Sequence, residues 1–543
     1  MYSPKEQVIK EVTAEYLDTL DVMNLPAVPE MVGQLFTTTN DRLQAMNTSM
    51  PKGMTYRMTD TITNYQVAML LAKAEEIALI QCSDRRNTSD PLPLGIYQQS
   101  GPNQGLYSLL DGDLDRIILQ MRPGASEKDI REVRMILRNT VPIRQRTPNR
   151  DLVPVANGIF DYRSQVLMPF SPDYVFLSKI SVPYNPSARN VVIHNQDDGT
   201  DWDVEGWMQE LFSDPELVDL MWHIIGAVVR SNVGWGRTAW FYSSSGNSGK
   251  GTILALLRAL VGRENCVSVR LADCDKNFAL EPIMRAACIL TDENNVGEYV
   301  DKSSNAKALV TGDNVSISRK YRDAVEFQFK GFMVQCFNDL PRVRDRTDSF
   351  LRRCLIIEFD KCFTGRERKY IKEDYLTRPE VLEYVLYRVL TIMPQYYELP
   401  VPAACKTAAD AFSLSNNPVM EFALECLPQM VKYDVYPFEI LYILYKNYLK
   451  DNNPSSTSLG KNTFITELTR VLQKPPLADE WMYPGRGANN DHIKVPFGYD
   501  RGREELLCDY GIAFPGEYIG KRVTGIVRRN PVTSPAQSEP PTA

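Results

Sequence analysis

Apolar positions along this chain change their period several times, and each change marks a change of architecture. From residue 4 to 80 they recur at helical spacing, with Val8, Val12, Tyr16 and Leu17 on one stripe, which predicts a mainly helical start. A stretch rich in Pro, Gly, Ser and Asn (90–105) breaks that pattern. Residues 113–138 then read as two helices, the first striped by Leu114, Ile117, Ile118 and Met121 and separated from the second by Gly124. The segment 155–185 is rich in β-branched and aromatic residues and contains an Asn157-Gly158 turn, the signature of short strands. Helices return at 203–230.

From 237 onward, continuous apolar runs alternate with helical stretches: RTAWFY (237–242), AACILT (286–291), GFMVQCF (331–337) and CLIIEF (354–359). That alternation predicts an α/β layer with buried strands. Helical periodicity resumes at Phe438–Leu449 and Phe464–Leu472, and the last stretch, from about Asn530, is rich in Pro, Ser and Thr, as disordered tails are. No internal repeat is visible.

Composition narrows the classes. The chain has 543 residues, 43% hydrophobic and 24% charged, enough for three or four domains at about 100–200 residues each. Its net charge is −7, which excludes a general polycationic coat but leaves room for a local basic site. Ten scattered cysteines form no CxxC pair, and His194, His223 and His492 are the only histidines, so neither a zinc ribbon nor His-rich metal chemistry is signalled. The opening MYSPKEQVIKEV has no apolar h-region. The longest apolar run, Val218–Val229, includes His223 and is shorter than the roughly 20 residues of a membrane span. A cytoplasmic location with no membrane partner is expected.

The strongest chemical signal is WFYSSSGNSGKGTILALLRALVG (240–262). A buried strand, a Gly/Ser turn and an amphipathic helix in that order suit a phosphate-binding loop, Ser245-Gly246-Asn247-Ser248-Gly249-Lys250-Gly251-Thr252. Backbone N–H groups and the helix N-terminus attract phosphate, and Lys250 reaches the β- and γ-phosphates. Ser244 stands where the pattern's first Gly is usual, and Gly251 where Ser or Thr is usual, so Thr252 becomes the candidate hydroxyl for Mg²⁺. Further on, CILTDEN places Asp292 and Glu293 at a strand's carboxyl end. Hydrolysis of a nucleoside triphosphate needs one carboxylate near the metal, here Asp292, and one for the water, here Glu293. Asn338, ending another strand, could sense the γ-phosphate, and Arg352-Arg353 offer a charge-stabilising arginine.

Positive charge is concentrated locally. Between 315 and 353 there are nine Lys or Arg against five Asp or Glu. Within that stretch VSISRKYRDAVEFQF (315–329) reads as a β-hairpin with Arg319, Lys320, Tyr321 and Arg322 at its tip, a tip suited to a nucleic-acid backbone.

These blocks, SSSGNSGKGT, CILTDEN, KALVTGDNVSISRKYRDAVEFQFKG, MVQCFNDLPRVRD and SFLRRCLIIEF, resemble the superfamily 3 helicases of the AAA+ class, in the phage, plasmid and poxvirus primase-helicase branch. The block holding Lys307, Thr311, Gly312 and Asp313 is the most specific. The stretch 157–188 is similar to that branch's helicase-adjacent domain and 436–468 to its C-terminal winged-helix region, so the likeness covers roughly 95–510. It implies an α/β AAA+ P-loop core (236–395) preceded by a mainly helical region (1–90) and a helicase-adjacent domain (91–235). A winged-helix-like α+β domain (396–515) and a basic, then Pro/Ser-rich tail (516–543) would follow.

It also implies a replicative helicase of a phage or mobile element, working in the bacterial host's cytoplasm as a homo-oligomeric, usually hexameric ring. ATP and Mg²⁺ would bind between subunits, held by Lys250, Thr252 and Asp292, with Asn338 as sensor and Arg352 or Arg353 as a finger acting on the neighbour. Arg319, Lys320 and Tyr321 would grip single-stranded or forked DNA in the pore. A separate primase and replication-origin DNA are further candidate partners. Asp111-Gly112-Asp113-Leu114-Asp115 could mimic primase metal carboxylates, but acids at a helix start explain the cluster better, and primase activity in this chain is not expected. An origin-binding, DNA-melting initiator and a protein-remodelling AAA+ ATPase are the alternatives. Salt-resistant duplex binding marks the first, and DNA-independent hydrolysis the second.

Overall fold

The computed structural model describes residues 3–22, 24–51, 53–84, 92–295, 299–300, 303–320, 322–343, 348–430, 435–452, 458–487, 492–496 and 521–529. The chain divides into two compact units, 1–409 and 410–543.

The first unit opens with helices Pro4–Thr19, Val28–Thr48 and Asn64–Ala74. Reciprocal capping boxes, Ser3 with Glu6 and Thr63 with Gln66, start the first and third, satisfying N–H groups that the helix leaves open. The helical pattern expected to run to residue 80 stops earlier. Ile77–Gln81 is a strand, antiparallel to Leu94–Tyr97 and parallel to Ile143–Gln145. Ile77, Ala78 and Ile80 are buried; a short run without a polar face goes equally well into a buried strand. One apolar cluster joins Val12, Leu35, Leu71 and Ile77 to Ile96, Ile118 and Leu137. The boundary expected at residue 90 therefore falls inside a common core.

Helices Asp111–Met121 and Glu127–Thr140 complete this layer, as the stripes predict. Asp111 and Asp113 lie in the first turn. Arg134 pairs with Asp111 at 2.9 Å and also with Asp115, and Arg116 lies 3.6 Å from Asp113, so arginines engage the acidic cluster. A three-stranded meander, Leu152–Val155, Gly158–Asp161 and Val166–Met168, follows. Pro215–Val229 then packs into the large core on nearly all sides, with Leu220, Met221, Ile224, Ile225 and Val228 buried. That burial accounts for its apolarity, and no described helix is long and apolar enough to cross a membrane.

The centre of the unit is a five-stranded, wholly parallel sheet in the order Cys266–Val267, Cys288–Thr291, Phe332–Phe337, Thr238–Tyr242, Cys354–Glu358. Helices cover such sheets on both faces, so their strands read as unbroken apolar runs. Four of the five were visible that way. Cys266–Val267 has two residues, too few for any periodic signal. Thr238–Tyr242 comes first in sequence yet lies fourth in the sheet: the chain runs from it to the far edge, Cys266–Val267, returns strand by strand and crosses past it to Cys354–Glu358. Crevices that bind ligands form at the carboxyl ends of strands at such a reversal.

In the second unit, helices Pro418–Cys426, Phe438–Asn452 and Lys461–Val471 pack on a sheet in the order Val435–Pro437, Arg522–Arg528, Trp481–Met482, with Lys494–Pro496 also paired to Arg522–Arg528. The tail expected from 516 is corrected here. Arg522–Arg528 is the central strand, with Val523 and Ile526 buried. Residues 530–543 lie outside the described residues.

Candidate nucleotide-binding site

Thr238–Tyr242, buried through Phe241, delivers the chain to the loop. Ser243 Oγ donates to the Ser245 carbonyl at 2.8 Å. Asn247 and Gly249 have positive φ, 52° and 95°, and Gly249 caps the helix Lys250–Val261. A Cβ on Gly249 would sit 2.9 Å from Leu211 Cδ2, a terminal methyl that can shift, so it is the left-handed conformation that calls for glycine. Ser244 in place of a first Gly leaves this strand, turn and helix intact. Lys250 is only 8% exposed and donates to Ser248 Oγ at 3.2 Å. Burial lowers its pKa, with Cys336 and Glu293 opposing the shift, as expected of an ammonium awaiting an anion.

The expected acidic pair divides its work. Glu293 accepts a hydrogen bond from Asn338 Nδ2 at 3.1 Å, joining two residues that the sequence placed on separate strands. Asp292 instead faces Arg258 of the loop helix, 2.8 Å away, while Arg258 also donates to the Leu290 carbonyl at 3.2 Å. The sequence reading missed both Arg258 and the network beneath. Buried Asn294 accepts from Leu271 N–H and donates to Gln335 Oε1 and the Cys336 carbonyl, at 3.0, 3.0 and 3.1 Å. Gln335 and Thr291 both donate to the Val269 carbonyl. The network fixes three strand ends beside the loop. Its signal was Gln335, the one polar residue inside GFMVQCF.

Loop residues Gly246–Thr252 and Asn338 line one cleft of about 460 Å³ together with Trp207, Leu211 and residues of the segment 363–372. That segment is tied to the loop. Phe363 N–H donates to the Asn247 carbonyl at 2.9 Å, and Asn247 Nδ2 to Glu367 at 3.0 Å and Thr364 at 3.3 Å. Nothing in the sequence pattern joined 363–372 to the loop. Among the described residues no cluster of three or more His, Cys, Asp and Glu is arranged to hold a metal. Thr252 and Asp292 would supply single oxygens, which suits Mg²⁺, an ion that usually keeps waters and takes one or two protein ligands beside phosphate.

The remaining candidates lie elsewhere. The Arg352 carbonyl accepts from Arg237 at 2.6 Å and the Arg353 carbonyl from Thr238 N–H at 2.8 Å. Both arginines thus stand at the start of the five-residue strand whose far end feeds the loop, roughly 16 Å along it at about 3.3 Å per residue. Helix Ser304–Thr311 ends on left-handed Gly312 and leads into the expected hairpin, Asn314–Arg319 with Arg322–Gln328. Val315 and Ile317 pair with Phe327 and Val325, all four buried. Lys320 is exposed at the turn, and Arg319 donates across it to the Asp323 carbonyl. Tyr321 and the Arg322 side chain lie outside the described residues. At the hairpin's root, Arg146 donates to the Gln328 carbonyl and Lys330 to the Thr147 carbonyl. Burial, helped by Arg146 and opposed by Asp84, pushes the Lys330 ammonium down to about 8.

Three segments match known families. Residues 241–353 match a family of unknown function (DUF5906), 100–213 a D5 N-terminal-like family, and 414–489 a poxvirus D5 protein-like family. D5-like segments therefore flank the core, and every candidate catalytic residue falls within the first match. Among solved structures, two apo forms of the NrS-1 C-terminal region are 13% identical, covering 86% of this chain and 100% of theirs, with a TM-score of 0.44.

Proposed function

We propose that this chain is an ATP-driven, ring-forming DNA helicase of a phage or mobile element, with a superfamily 3 AAA+ core. One observation carries the reading: Lys250, Thr252 and the Asn338–Glu293 pair meet at the carboxyl end of a parallel sheet, whereas Arg352 and Arg353 stand at its other end. A subunit so built holds the phosphates and the water-directing acid of its own site. Arg352 or Arg353 would then act on a neighbour's site, which makes a closed ring the natural assembly.

In this mechanism the loop N–H groups and Lys250 bind the triphosphate. Thr252 and Asp292 would hold Mg²⁺, which would neutralise phosphate charge, with Arg258 orienting Asp292 through both carboxylate oxygens. Glu293 orients and deprotonates the attacking water, and Asn338 fixes the Glu293 carboxylate. The hairpin with Lys320 at its turn grips the DNA backbone, and the D5-like segments support placing these steps in viral or phage-type replication. The deciding experiment is unwinding of forked DNA with tails of either polarity, beside negative-stain imaging. ATP-dependent strand displacement by rings is expected; absence of ATP hydrolysis in the presence of single-stranded DNA would overturn the reading.

The second unit favours one alternative. Its helix, strand, two helices and sheet with the last strand central follow a winged-helix order, and Lys461–Val471 exposes Asn462, Thr463 and Thr466, residue types able to read base edges. An origin-binding, DNA-melting initiator would use that face. Duplex binding that is sequence-specific and survives salt, without strand displacement, would favour it.

A further inference from the structure

The loop carries Gly251 where a hydroxyl residue usually follows the lysine, and a cation faces that position. A Cβ on Gly251 would lie 3.7 Å from Lys372 Nζ, and Lys372 lines the same cleft as Lys250, Thr252 and Asn338. Its placement is fixed by the segment that carries it, through the bonds from Phe363 to Asn247 and from Asn247 to Glu367. Two other charges on this segment are already engaged: Glu367 holds Asn247 and the Gly365 N–H, and Arg368 pairs with Glu210, while Arg366 and Lys369 add positive charge to the same cleft. Among the described residues no carboxylate lies within ion-pair distance of Lys372. Two ammonium groups and the positive end of a helix thus share one cleft whose carboxylates, Glu210 and Glu367, are taken up by Arg368 and by Asn247 with the Gly365 N–H, an arrangement that favours entry of a polyanion.

We infer that Lys372 is a second phosphate-binding cation, supplied by the same chain, which closes on the nucleoside triphosphate from the segment tied to the loop; the inference rests on the nucleotide reading above. Gly251 gives it access, since a side chain there would stand between the ammonium and the phosphates. The specific ligand class is a nucleotide with at least two phosphates.

The test is titration of fluorescent ATP and ADP, with Mg²⁺, into the full-length protein and its Lys372→Ala, Lys372→Arg and Lys250→Ala variants, with circular dichroism confirming that each is folded. Lys372→Ala should weaken both nucleotides by about tenfold, the size of one charge-assisted hydrogen bond, and Lys372→Arg should recover most of that loss. Unchanged affinity in Lys372→Ala, or equal losses in Lys372→Ala and Lys372→Arg, overturns the inference. If Lys250→Ala binds as well as the native chain, it is the nucleotide reading itself that fails.

Discussion

In the proposed mechanism the chemistry turns on Lys250 and the Asn338–Glu293 pair. Lys250 is buried against Ser248, so Lys250→Ala should abolish ATP hydrolysis and unwinding together, as read by phosphate release and strand displacement. Asn338 contributes by holding Glu293 at 3.1 Å. Asn338→Ala should therefore lower kcat by roughly 100-fold, the cost of losing one positioned polar group, while ATP affinity stays close to native. A parallel loss of affinity would show that Asn338 binds nucleotide instead of directing the acid. Lys330 provides a pH test. Its folded pKa, about 8, lies below the ordinary 10.5, so the native state binds fewer protons between those values. The cost of burying the ammonium is full below pH 8 and fades as pH rises toward 10.5. The stability difference between Lys330→Met and the native chain should accordingly shrink from pH 7 to pH 10 in denaturant titrations, and a constant difference would contradict a buried titrating lysine.

Single elements were legible to different degrees, and the reason is burial. Phe332–Phe337 and Cys354–Glu358 are nearly continuous apolar strands because the parallel sheet buries them on both sides. The hairpin was legible through alternation, Val315 and Ile317 inward on one strand and Val325 and Phe327 on the other. Ile77–Gln81 and Arg522–Arg528 were not, since the first is a short buried run that fits helix and strand equally and the second sits in a basic stretch beside a Pro/Ser-rich end. The hairpin also allows function to be separated from folding. Lys320→Ala should keep basal ATPase and lose stimulation by single-stranded DNA. Phe327→Ala should lose about 3–5 kcal/mol of stability, the usual cost of truncating a buried phenylalanine, and lose the stimulation with it. Native-rate unwinding by the Lys320 variant would remove the hairpin from the DNA path.

At the scale of the whole molecule, the separation of Arg352 and Arg353 from the loop at opposite ends of the sheet predicts a shared active site. Arginine variants (Arg352→Ala or Arg353→Ala) mixed with Glu293→Gln subunits, each inactive alone, should recover hydrolysis in mixed assemblies. No recovery at any ratio would argue for a site complete within one chain. The sequence by itself determined the loop, the acids at a strand end, the hairpin and the concentration of positive charge, because each is written in a few neighbouring residues with a local conformational need. Only the tertiary structure decided that Arg258 takes Asp292, that Asn338 reaches Glu293, that Asn294 and Gln335 lock the strand ends, and that Lys372 faces Gly251. Those pairings join residues tens of positions apart, and they are set by which parallel strands become neighbours and how far a later segment folds back over the loop, neither of which leaves a trace in local spacing.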